Sequence, residues 1–177
     1  MLILAVAAAC ALSLLSGGRL GNIEGSRARG FLLPVAALAL ERAAALLCPG
    51  VLPRAPWFAV FTAGAYLLCI LFIFINRSYK LFAALAGAGT LANLAVIAAN
   101  DFYMPVSERA MALAGFSGIP RGLQAAYRVA DGATRLRALG DMLYVPLPLV
   151  GGFASAGDVL LAAGIFVFVF QLMRAKR

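Results

Sequence analysis

The chain has 177 residues, of which 64% are apolar and only 12% charged, with no histidine and a formal net charge of +8. A soluble domain carries roughly a quarter charged residues, so this composition excludes an ordinary water-soluble fold and points to the bilayer as solvent. Cys10, Cys48 and Cys69 are odd in number and form no CxxC pair, which with the missing histidine argues against a disulfide framework and a zinc or haem centre; no cofactor is expected.

Backbone groups in hydrocarbon need internal partners, which leaves helices or a closed barrel. Long Ala/Leu-rich runs without alternation select helices. The expected fold class is all-α: a single-domain polytopic membrane helix bundle of about five transmembrane helices. In chain order the runs cover about Met1–Leu15, Phe31–Cys48, Trp57–Ile75, Leu81–Ala99 and Asp158–Met173. A hydrocarbon layer of about 30 Å takes roughly 20 helical residues, so the first and last spans need flanking residues or a locally thinned bilayer. The first run lacks a basic n-region and a convincing cleavage site, and its retention is expected. No internal repeat supports an inverted-repeat transporter.

Arg19, Arg27 and Arg29 follow the first run, Arg77 and Lys80 the third, and Arg174, Lys176 and Arg177 the fifth, whereas the second loop has only Arg54. The positive-inside rule then sets the N-terminus outside and the C-terminus in the cytoplasm. Anionic head groups at the cytoplasmic rim are the natural partners of this charge, with other membrane-protein subunits as further candidates; nucleic acid is not implied.

Within the second run, Glu41 and Arg42 stand about ten residues past the cytoplasmic end, a rise of roughly 15 Å. Adjacent residues point about 100° apart. Either each faces a partner on another helix, or the span is shifted and both snorkel outward. On the fourth run, Ala86, Gly89, Asn93 and Asn100 fall within about 60° of one another, a small, polar face suited to close helix packing or to a ligand. Asn100 and Asp101 are expected to close that helix by satisfying backbone groups at the turn.

Residues Asn100 to Gly157 form the long segment between the last two spans, too rich in Phe, Tyr, Met and Leu for a solvated linker. Short helices are expected over Glu108–Ala114, Leu123–Ala130 and Ala133–Leu139, with Gly115, Gly118, Pro120 and Gly132 between them. Pro146 and Pro148 favour an extended strap. The expectation is an extracytoplasmic cap over residues 100–157. Ser155 and Asp158 have the S-x-x-D spacing of a capped helix start. Asp141 lies four residues after Arg137, with Arg135 nearby; the spacing predicts an intra-loop ion pair. The alternative is a binding or catalytic carboxylate, paired with Asp101 or Glu108.

The pieces GGRLGN (Gly17 to Asn22), NRSYK (Asn76 to Lys80), NLAVIAANDFYMPVS (Asn93 to Ser107), TRLRALGD (Thr134 to Asp141) and PLPLVGGFASAGDVLLAAG (Pro146 to Gly164) occur in the order of a family of small bacterial integral-membrane proteins of unknown function, which the chain resembles. The resemblance implies a five-helix membrane protein and groups Asn100, Ser107, Asp141 and Asp158 on one outer face; the expected location is the bacterial cytoplasmic (inner) membrane. It departs at Asp101-Phe102-Tyr103, where the family tends toward Gly-Gly-Arg-like residues. Asn93, Asn100, Asp101, Ser107, Arg135 and Asp141 are the candidate functional polar cluster, and Glu41 and Arg42 the intramembrane charges.

Three functions compete. A non-catalytic scaffold or accessory subunit of a membrane complex fits the lack of reactive motifs and is preferred. A small-solute or lipid transporter would line a path with Asn93, Asn100, Glu41 and Arg42, and an interfacial enzyme would act on a lipid-linked substrate through Asp141. No phosphate-binding loop is present.

Overall fold

The computed structural model describes residues 1–47, 56–119, 126–147 and 152–175. Cys48, Arg54, Pro120, Pro148, Lys176 and Arg177, with the first residues of the helix expected over Leu123–Ala130, lie outside these ranges. Five long helices form where the apolar runs predict them: α1 (Leu2–Leu15), α2 (Leu32–Leu47), α3 (Pro56–Ile75), α4 (Lys80–Ala99) and, after the cap and its short helix α5, α6 (Ala156–Arg174). Of the described helices, α3, α4 and α6 are long and apolar enough to cross a membrane. At 14 and 16 residues, α1 and α2 are shorter, so the structure supports three spans by length and leaves the other two to topology.

The frame is the pair α4–α6. A Cβ added to Gly89 would strike the Gly157 carbonyl oxygen, one on Gly157 would strike Asn93 Oδ1, and one on Gly164 would lie 2.6 Å from the Ala86 nitrogen. Only glycine allows such an approach, and in lipid, where apolar burial gives helices little reason to associate, close backbone contact is what holds them. The small, polar face of α4 is therefore a packing face, with Ala86, Gly89, Thr90 and Asn93 all buried. Helix α1 packs on α6, α3 on α4, and α2 on α3.

One end of the bundle gathers the basic loops. Arg19 N and Asn22 Nδ2 both donate to the Met173 carbonyl, at 2.9 and 2.8 Å. The Asn76 side chain grips Arg29: its Oδ1 accepts from Arg29 N at 3.0 Å, while Nδ2 donates to Arg29 O and to Phe72 O, both at 2.9 Å. Above this layer Phe72, Phe82 and Phe168 form an aromatic core, with the Phe82 and Phe168 rings stacked at 4.2 Å.

The cap covers the opposite end, where α4 finishes and α6 starts. It is not all-helical. Strand β1 (Met104–Val106) pairs in parallel with β2 (Tyr127–Val129), and β3 (Leu143–Val145) pairs antiparallel with β4 (Gly152–Ala154). Helix α5 (Glu108–Leu113) lies where expected, its start capped by the Ser107 side chain. The helix expected through Ala130 is overturned in its described part: Tyr127-Arg128-Val129 is an aromatic and β-branched stretch that finds a partner in β1. The helix expected over Ala133–Leu139 shrinks to one 3-10 turn, Arg137–Leu139, because Leu136 is left-handed at φ +50°. Of the expected extended strap, the described part includes the paired strands β3 and β4, while Pro148 and residues 149–151 lie outside the described residues.

The seam gives a direct expectation. Gly164→Val should destabilise the protein by about 1–3 kcal/mol through overpacking, whereas Gly21→Ala, where an added Cβ meets nothing within 4 Å, should change stability by less than about 0.5 kcal/mol. Thermal unfolding in one mild detergent reads both.

Candidate functional site

Three groups of polar residues meet at the capped end. The innermost is a knot across the seam. Asn93 Nδ2 donates to Asp158 Oδ1 at 2.8 Å, and Asn93 Oδ1 accepts from Ser155 Oγ at 2.8 Å. Ser155 and Asp158 form the expected capping box, with Asp158 N donating to Ser155 Oγ at 3.0 Å and Ser155 N donating to Asp158 Oδ2 at 2.9 Å. Asn93 and Ser155 are buried. Asparagine suits the position because one amide supplies both a donor for the carboxylate and an acceptor for the hydroxyl.

The second group hangs on β1. Its pairing with β2 is flanked by Met104 N donating to Ala126 O and Ala130 N donating to Val106 O, both at 2.8 Å. On the other edge Asp141 N donates to Pro105 O at 2.8 Å and Ser107 N donates to Asp141 O at 3.0 Å. Pro105 has no N–H to extend that ladder, so the contact stays a single bridge. These backbone bonds draw Asp141 inward until it is only 2% exposed, with Oδ1 lacking a hydrogen-bond partner. The ion pair expected with Arg137 or Arg135 does not form: both arginines are exposed while Asp141 is buried, and the Arg128–Asp101 ion pair lies elsewhere. The i, i+4 spacing presumed a helix that Leu136 breaks. Burial, reinforced by the Asp158 carboxylate, raises the Asp141 carboxyl to about 7. Asp101 and Glu108 are both exposed; the carboxylate whose charge reaches Asp141 is that of Asp158.

The third group lines a cleft of about 220 Å³ beside the end of α4, bounded by Asn100, Asp101, Tyr103, Arg128, Asp131 and Arg135 among others. Asn100 repeats the Asn76 grip on a second arginine: Oδ1 accepts from Arg135 N at 2.9 Å, and Nδ2 donates to Arg135 O at 2.8 Å and to Val96 O at 2.7 Å. The Arg128 guanidinium lies 4.3 Å from the Tyr103 ring centre and 3.7 Å from Asp101 Oδ2. Asp131 accepts from Ala133 N and Thr134 Oγ1. The Thr134 bond and then the Ala133 bond hold its carboxyl below the ordinary value. Asp101 and Phe102 are left-handed, at φ +55° and +61°, the conformation that glycines adopt without strain.

The cluster expected from sequence is thus split. Asn100, Asp101 and Arg135 share the cleft, Ser107 and Asp141 share the β1 edge, and Asn93 joins Ser155 and Asp158 in the knot. Glu41 and Arg42 are exposed on α2 and form no ion pair among the described residues. Tyr127, which sequence reading passed over, sits between the groups. Its hydroxyl is pushed above its ordinary value by burial and by the carboxylates of Asp141, Glu41 and Asp158, with Arg42 acting in the opposite sense. Asn76, Arg128 and Asp131 were also missed; Asn76 alone had a signal, as an asparagine ending a helix.

A family of unknown function, DUF5317, matches residues 29–170, about four-fifths of the chain. The chain belongs to this family. No curated protein and no solved structure gives a match. The matched region of this DUF5317 member contains the seam, both asparagine grips and the whole cap.

Two outcomes follow from the geometry. Asn100→Ala leaves the Arg135 backbone without its partners and should cost about 1–3 kcal/mol, with hydrogen exchange rising first around residues 133–136. The folded Asp141 carboxyl sits above its unfolded value of 3.8, so its stabilising neutral form is fully present below about pH 4 and lost as pH rises toward 7. Wild-type stability should therefore fall relative to Asp141→Asn across that window by up to about 4 kcal/mol, read as the difference between their unfolding curves in detergent at pH 4 and pH 8.

Proposed function

We propose that this protein is a non-catalytic scaffold or accessory subunit of a complex in the bacterial cytoplasmic membrane. It crosses five times, with the N-terminus and cap outside. Supporting that sidedness, Arg19, Arg27, Arg29, Arg77, Lys80 and Arg174 belong to the loops and helix ends joined by the Met173 and Asn76 bonds, and an excess of Lys and Arg marks the cytoplasmic face. α1 and α2 are short for a span and are accommodated by thinning or by flanking residues.

The observation that carries the scaffold reading is the pair Glu41–Arg42. Both are exposed, and they lie nine and ten residues into α2, roughly 14 Å along its axis. A charge at such depth on a lipid-facing surface is costly, about 2.5–3.5 kcal/mol for Asp, Lys or Arg at a span's centre. A second copy of the chain, related by a twofold axis along the membrane normal, places Glu41 opposite the other copy's Arg42 at almost the same depth, since the two positions differ by about 1.5 Å of rise. Acid and base are then paired twice, and the interface is self-complementary.

Asp141 favours a second reading, an interfacial enzyme acting on a lipid-linked substrate. A carboxyl near 7 is matched to proton transfer at neutral pH. Its 2% exposure gives a substrate no access in this state, which ranks this reading second.

In nanodiscs or mild detergent the wild type should run as a dimer or a larger complex. Glu41→Lys should dissociate it, and the swap Glu41→Arg with Arg42→Glu should restore it. A lone wild-type monomer rejects the scaffold reading. An Asp141→Asn protein that folds and assembles yet fails to complement a deletion strain selects the second.

A further inference from the structure

We propose that the cleft at the end of α4 binds a zwitterionic phosphate–ammonium head group, supplied by a phospholipid of the surrounding leaflet. The cleft sits where that chemistry is found. Helix α4 has 20 residues, a rise of about 30 Å that matches the hydrocarbon layer, and the cleft begins at Ala99 and Asn100, at the level of the head groups. At about 220 Å³ it is smaller than the roughly 300–1,000 Å³ of sites for drug-sized ligands, and so takes a head group rather than a whole molecule.

Among the described lining residues the charges are balanced: Arg128 and Arg135 against Asp101 and Asp131. A purely anionic ligand would meet two carboxylates and a purely cationic one two guanidiniums. A ligand carrying both signs satisfies both pairs, with the phosphate on the planar, bidentate donors of arginine and the ammonium on the carboxylates.

The binding groups are prepared for this. The Asn100 grip uses only the backbone of Arg135, which fixes that residue and leaves its exposed guanidinium for a ligand. Arg128 is steadied over the Tyr103 ring, and its contact with Asp101 is long and solvent-exposed, a weak pair that a phosphate can displace. Asp131 is held ionised by the bonds from Thr134 and Ala133, so it presents a full negative charge. The site stands apart from the α2 face and does not depend on whether that face assembles.

The test is native mass spectrometry of the full-length protein released from nanodiscs containing phosphatidylethanolamine, phosphatidylcholine or phosphatidylglycerol. Phosphatidylethanolamine should be retained at least about tenfold more tightly than phosphatidylglycerol. Arg135→Gln, which keeps the backbone grip, should lose retention of both lipids by about tenfold without altering the melting temperature. Asp131→Asn, whose amide oxygen can still accept the turn bonds, should weaken phosphatidylethanolamine selectively and bring its retention level with that of phosphatidylglycerol. Equal retention of all three lipids by the wild type, or unchanged retention in both variants, overturns the proposal. Displacement by soluble glycerophosphoethanolamine at concentrations matching the lipid overturns the membrane as the source.

Discussion

The structure depends on how closely the backbones of α4 and α6 approach. Gly89, Gly157 and Gly164 carry no Cβ where one would collide with the facing helix, and this brings Asn93 within 2.8 Å of both Ser155 and Asp158. The order of cause matters. Without the glycine seam, the Asn93 amide would face apolar surroundings unpaired, which costs more than a well-made bond returns, and Asp158 would keep only its capping-box bonds with Ser155. The seam also positions the cap, because α4 leads into it and α6 leads out of it.

A second device recurs at both ends of the bundle. Asn76 and Asn100 each follow a long helix, bond the carbonyl four residues back, and grip both the N–H and the C=O of a distant arginine, Arg29 or Arg135. A primary amide is suited to this because it mirrors the peptide group, donating to a carbonyl while accepting from an N–H. At Asn100 that bond satisfies the Val96 carbonyl, which the last turn leaves open because Asn100 N turns to Ile97 O; at Asn76 it adds a second donor to the Phe72 carbonyl, which Asn76 N already reaches. Both gripped arginines have exposed side chains. The backbone supplies the order, and the charges remain free for work at the surface.

What the sequence made legible follows the range of the forces involved. Helix ends were readable to within two residues, because a long apolar run needs no knowledge of its partners. The capping box was readable because Ser155 and Asp158 are three residues apart. The strands of the cap were not: Met104–Val106 is a strand only because Tyr127–Val129 lies beside it, more than twenty residues away, and neither segment is long enough to announce itself. Asp141 was misread for a related reason. Its spacing from Arg137 has meaning only on a helix, and the left-handed Leu136, imposed next to the gripped Arg135, removes the helix. The glycine at 140 was the available clue, since a Cβ there would lie 2.6 Å from the Pro105 carbonyl, marking the close approach that buries its neighbour.

The described spans also differ in how much of themselves they hide. The apolar windows of α4 and α6 are 39% and 33% buried within the chain, that of α3 only 6%. The first two spend their surfaces on each other, on α1 and on the cap, while α3 has α2 along one side and touches α4 more lightly. Lipid covers exposed apolar surface at no cost, so the low burial of α3 by itself requires nothing. The charges next to it are different, because hydrocarbon does not satisfy a carboxylate or a guanidinium such as those of the exposed Glu41 and Arg42. A close-packed seam carrying the cap, joined to the α2–α3 pair with one exposed acid and one exposed base on it, divides the molecule into a part that holds its own shape and a part that the proposed assembly would complete.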